Sequence, residues 1–82
     1  MKAPDDYMGC TSEQVAYALA LAECKRQKFI DESMPGHYVE EVNSVVYAAG
    51  VALDCKMRDW EPLARRILVD SYKVQIRKQG VY

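Results

Sequence analysis

The stretch that decides the fold is residues 36–58, GHYVEEVNSVVYAAGVALDCKMR. Tyr38, Val42, Val45, Val46, Ala49, Leu53 and Met57 recur in it at the spacing that gathers apolar side chains along one side of an α-helix. The middle, Ala48-Ala49-Gly50, is small. A glycine inside a helix costs about 1 kcal/mol relative to alanine, so its presence suggests that another helix crosses closely there. This reading puts residues 36–58 at the centre of an all-helical domain, with Ala49 and Gly50 against Ala18 and Ala22 of the preceding helix. On that packing Gly50→Leu overfills the crossing and unfolds the domain.

Towards the N-terminus, Thr11-Ser12-Glu13-Gln14 is a capping box, with Cys10 and Val15 placed to add a hydrophobic staple. Val15, Ala18, Leu19 and Ala22 then form one apolar row, and Tyr17, Leu21 and Cys24 a second beside it. So wide a face suits contact with two helices. Lys25, Arg26 and Lys28 lie in the last turns, where cations favour the negative end of the helix dipole. Met34-Pro35-Gly36 breaks the chain before the second helix, whose first turn is expected to hold Glu40 and Glu41.

Towards the C-terminus, Asp59 reads as an N-cap, with Trp60, Glu61 and Pro62 in the first turn. Leu63, Ala64, Ile67, Leu68 and Ser71 read as the core-facing row, with Tyr72 and Ile76 to one side. Gly80 is placed to close the helix in a left-handed cap, with Val81 reaching Ile76. The expectation is an all-α, compact three-helix bundle with helices about 11–29, 37–57 and 60–79. Residues 1–82 form a single helical domain, of which 1–10 is a flexible arm that Tyr7 and Met8 dock on the core.

Composition agrees with one small globular domain: half the residues are hydrophobic and 28% charged. A chain this short buries roughly 60–65% of its unfolded surface, so stability is modest and a partner subunit would help. The longest apolar runs, in 15–22 and 45–53, fall short of the ~20 residues that span a bilayer. The opening MKAPDDYMGC has aspartates where a secretion signal needs apolar residues. Cys10, Cys24 and Cys55 are odd in number and widely spaced, which suits reduced thiols in the cytoplasm, with Cys24 and Cys55 as small core residues. Residues 1–54 carry four basic and nine acidic side chains, and residues 55–82 seven basic and three acidic. That split fits two halves folded against each other, or a basic surface presented by the third helix.

Catalytic chemistry finds little to work with. His37 is the single histidine, and Glu40 and Glu41 at i+3 and i+4 make at most half of a metal site or an oriented base. Cys10, Cys24, Cys55 and His37 lack the C-x-x-C pairing of a zinc knuckle. No glycine-rich phosphate loop is present. We therefore expect no catalytic, cofactor-binding or metal-binding residues, and no enzyme.

Binding is the remaining class. Arg65, Arg66, Lys73, Arg77 and Lys78 fall on the polar side of the third helix, with Trp60 and Tyr72 near them. Arg, Trp and Tyr dominate protein interface hot spots. These seven residues are the candidate partner-binding site of an inhibitor, adaptor or assembly factor acting on a larger protein. A mobile-element protein directed at a host enzyme is one special case. Arg66→Glu and Trp60→Ala are expected to weaken binding and spare helicity. A nucleic-acid regulator ranks below this, because a recognition helix opening with Asp59, Trp60 and Glu61 meets phosphates badly. Homodimerisation is a further option, and an exposed Tyr47 would mark such a seam, although Tyr47 is expected to be half-buried.

Overall fold

The computed structural model describes residues 3–80. A single 3-10 turn, Pro4–Tyr7, precedes α1 (Ser12–Asp31), α2 (Gly36–Lys56) and α3 (Pro62–Gln79). The all-α three-helix architecture and the three expected segments are those of the sequence reading. The capping box forms as expected: the Thr11 amide donates to Gln14 Oε1 at 2.9 Å, and the Gln14 amide to Thr11 Oγ1 at 3.2 Å.

α1 runs two residues further than expected because its end is closed by a reciprocal pair of backbone bonds. The Met34 amide donates to the Phe29 carbonyl at 2.9 Å and the Ser33 amide to that of Ile30 at 3.1 Å. This is the Schellman pattern, which needs a left-handed residue at Ser33, and Ser33 has φ of 54°. Serine there is strained where glycine is not. Gly80 fills the same role for α3, with φ of 65° and its amide bonded to the Ile76 carbonyl. Val81, expected to touch Ile76, lies outside the described residues.

α1, not α2, is the centre. α2 runs back along it: Phe29 near the end of α1 meets the Tyr38 ring edge-on near the start of α2, at 5.8 Å. α3 packs on another side of α1 and makes little direct contact with α2. The reason is the double apolar row on α1: Val15, Ala16 and Ala20 are fully buried, with Leu19 and Cys24 close behind. Ala49, Ala52 and Leu53 of α2 complete the core with Met57 just past its end, and Val69 and Ile76 join from α3. The N-terminal segment folds against α2, with Tyr7 packed on the core and the Met8 carbonyl accepting from Lys56 Nζ at 2.8 Å.

Several expectations change. No helix crosses at Gly50: it borders an open groove between α2 and α3, and a Cβ built there meets nothing within 4 Å. The small pair that packs tightly is Ala48-Ala49, both fully buried. Glu40 and Glu41 fall in the second turn of α2, since that helix starts at Gly36. Asp59 does not cap α3. The proline at 62 holds Glu61 in extended geometry (ψ 145°), so the helix starts at Pro62 without a side-chain cap.

α3 is rotated about its axis from the expected orientation. Leu63 and Ile67, expected in the core, point to solvent, and Val69 and Ile76 take their place. α3 carries two apolar rows, and periodicity alone does not choose between them.

Two substitutions test this packing. Gly50→Ala adds helix propensity without a clash and is expected to stabilise by about 1 kcal/mol, raising Tm by roughly 4–8 °C. Ser33→Gly relieves the left-handed strain and is expected to stabilise by about 1 kcal/mol. Both are read by thermal melts followed by circular dichroism, and a fall in Tm for Gly50→Ala would mean that the site is filled.

Candidate interaction surface

The α1–α3 contact places most of the candidate binding residues. Glu23 on α1 is largely shielded, its side chain 17% exposed, and it receives two cations from α3. Arg66 binds it with both terminal guanidinium nitrogens, Nη1 lying 2.9 Å from Oε2, and Lys73 Nζ joins from two helical turns further on. Asp70 closes the network, 3.1 Å from Arg66 and 3.8 Å from Lys73. Burial alone would raise the Glu23 carboxyl, but hydrogen bonds from Arg66 and Lys73, and their charges, outweigh it and hold the group below its ordinary value. The Arg66 guanidinium is pushed up by its hydrogen bond to Glu23, against the opposing effect of burial. Three charge-assisted contacts on one largely shielded carboxylate are among the stronger polar links available to a small domain.

Arg65 is engaged differently. Its Nη1 donates to the Met57 carbonyl at 3.1 Å and the Trp60 carbonyl at 2.8 Å, and its Nε lies 3.3 Å from Asp54. It thus closes the end of α2 and fixes the turn into α3. Tyr72 meets Tyr17 of α1 edge-on, ring centres 5.7 Å apart. Of the seven candidates, then, Arg65, Arg66, Tyr72 and Lys73 have partners within the chain. Arg77 borders a groove against Asp31 and Glu32 at the end of α1, and Lys78 is exposed. Among the described residues neither makes an ion pair. Trp60 is 51% exposed.

Leu63 and Ile67, which periodicity assigned to the core, belong instead to an exposed apolar row. Leu63 (70% exposed), Ile67 (60%) and Val74 (50%) form a row along the outward side of α3, continued by Trp60 before its first turn. Exposed rows of this kind mark interaction sites more often than isolated hydrophobic residues do. The signal was in the sequence: α3 has more apolar residues than one contact with α1 can bury.

A second feature is a groove of about 450 Å³ between α1 and the first half of α2, lined by Tyr7, Leu21, Phe29, Tyr38, Val42 and Val45 among others. Tyr47 is 69% exposed, not half-buried, and stands apart on α2. Cys24 is buried, Cys10 half-buried and Cys55 exposed, so Cys55 is not the core residue that its helical position suggested. Among the described residues no three of His, Cys, Asp and Glu are grouped to hold a metal ion. Nor is any helix among them long and apolar enough to cross a membrane. Compared with known protein families, with characterised proteins and with solved structures, the chain matches none.

The Glu23 network makes stability depend on pH. The folded-state pKa of Glu23 lies below the unfolded value, so its contribution is full above about pH 4.3 and is lost as pH falls through the lower folded value. Glu23→Gln is expected to cost about 1–3 kcal/mol at pH 7, where two cations lose their carboxylate. It should also flatten the decline in stability below about pH 4.3. Denaturant melts at pH 7 and in the acid range measure both, and equal wild-type and variant profiles would show that the network contributes nothing.

Proposed function

We propose that this chain is a non-catalytic protein-interaction module whose contact surface is the outward face of α3. The observation that carries the reading is the solvent-exposed row Leu63, Ile67 and Val74 with Trp60 at its head. Apolar and aromatic groups fixed on a rigid helix lose little entropy on docking, which is the chemistry of an interface anchor. Inhibitor, adaptor or assembly factor in the cytoplasm, acting on a larger protein, is the class of role that such a surface serves. Nucleic acid is the weaker reading. Arg65, Arg66 and Lys73 already hold carboxylates and carbonyls of their own chain, leaving few free cations on α3 for phosphates.

Arg66→Glu sets a second acid against Glu23 and so tests folding as much as binding. Ile67→Glu puts a charge in the middle of the exposed row and touches nothing in the core. We expect it to weaken capture of a protein partner from native, nuclease-treated lysate by at least about tenfold. Helicity should be unchanged. Capture that is lost on nuclease treatment, or that Ile67→Glu leaves intact, would contradict the assignment of this face.

A further inference from the structure

The row on α3 is self-complementary when reversed. Leu63, Ile67, Asp70, Val74 and Arg77 follow one another at alternating steps of four and three, the spacing by which two helices interlock along a seam. Set a second α3 against the first, running the other way about an axis midway between 67 and 70. Leu63 of each copy then meets Val74 of the other, and Ile67 lies beside Asp70. The carboxylate of Asp70 is already paired with Arg66 and Lys73 of its own chain.

The charges point the same way. Asp59 and Glu61 outnumber Arg58 at the start of the helix, Arg77 and Lys78 lie at its end, and among the described residues none of the five makes an ion pair. Antiparallel pairing sets the acidic end of each copy against the basic end of the other, and brings Trp60 towards Arg77, a favourable cation–π pairing. Parallel pairing sets like against like at both ends. Charge and apolar spacing thus select the same partner and the same direction.

We propose that the outward face of α3 is covered by α3 of a second copy of this chain, in a twofold-symmetric antiparallel pair. This rests on reading that face as the contact surface, and it means that a larger target has to displace the second copy. α3 has 18 residues, so the seam is about 27 Å long. One helix pair of this length buries less than a standard interface of about 800 Å² per partner, which sets the pairing in the weak, reversible class.

Sedimentation equilibrium from about 10 µM to about 1 mM spans the range in which such an interface populates both states. The mass is expected to rise from 9.3 kDa towards twice that value. Ile67→Glu is expected to stay at 9.3 kDa with the helicity of the parent. Direction is read by cysteine pairing with oxidised glutathione, on a background with Cys10 and Cys55 replaced by serine. Leu63→Cys mixed with Val74→Cys should give the disulfide-linked pair, and neither alone should. Leu63→Cys joining to itself, or Ile67→Glu remaining a dimer, overturns the proposal. A monomer at every concentration also overturns it; the interaction reading then survives if Ile67→Glu still abolishes capture of another protein, and falls with it if capture is unaffected.

Discussion

One carboxylate ties the third helix of this molecule to the first. Glu23 sits on the central helix, mostly out of solvent, and draws in Arg66 and Lys73 from α3. Those positions are seven apart, two helical turns, and flank the row that contains Val69 and Ile76. On the other flank Tyr72 rests edge-on against Tyr17. These polar and aromatic supports both favour the rotation of α3 that buries Val69 and Ile76. An ion pair at a surface contributes little, but a partly buried carboxylate with bidentate arginine and a second cation is costly to leave unpaired. The network therefore acts chiefly by making other rotations unfavourable.

The exposed face follows from that choice. α3 has apolar side chains on two sides, and α1 covers one of them. α2 does not reach the other, because both flanking helices lean on α1 and a groove of about 330 Å³ bordered by Val46 and Gly50 lies between them. The same network accounts for the fate of the basic residues. Arg65, Arg66 and Lys73 join α3 to the rest of the chain, and the acidic first half and basic second half of the sequence meet within one domain. Folding consumes the central cations and leaves the helix with an apolar outer row, acidic at one end and basic at the other.

The fold was legible in the sequence because local signals sufficed. The Thr11–Gln14 capping box, Pro35, Pro62 and Gly80 marked helix ends to within about two residues, and no strand-like alternation competed. Relations between helices were less legible. Gly50 suggested a close crossing, yet the groove beside it is open, since Ala48 and Ala49 already provide the tight contact. The rotation of α3 depends on Glu23, forty-three residues before Arg66, and no helical periodicity encodes a pairing at that range. The candidate site was half visible: its helix and Trp60 were identified, while Leu63 and Ile67 were assigned to the core by a pattern that fits either row. Ser33 was invisible for another reason, as serine is not the residue that a left-handed cap favours.

The measurement that bears most directly on this account is a methyl NOE spectrum of the folded protein. With α3 oriented by Glu23, the Val69 and Ile76 methyls should show cross-peaks to buried side chains of α1, with which they share the core cluster. The Leu63 and Ile67 methyls should show none to α1. Cross-peaks from Leu63 and Ile67 to α1, with Val69 silent, would mean that the helix is turned the other way. The exposed row, and every functional inference built on it, would then be wrong.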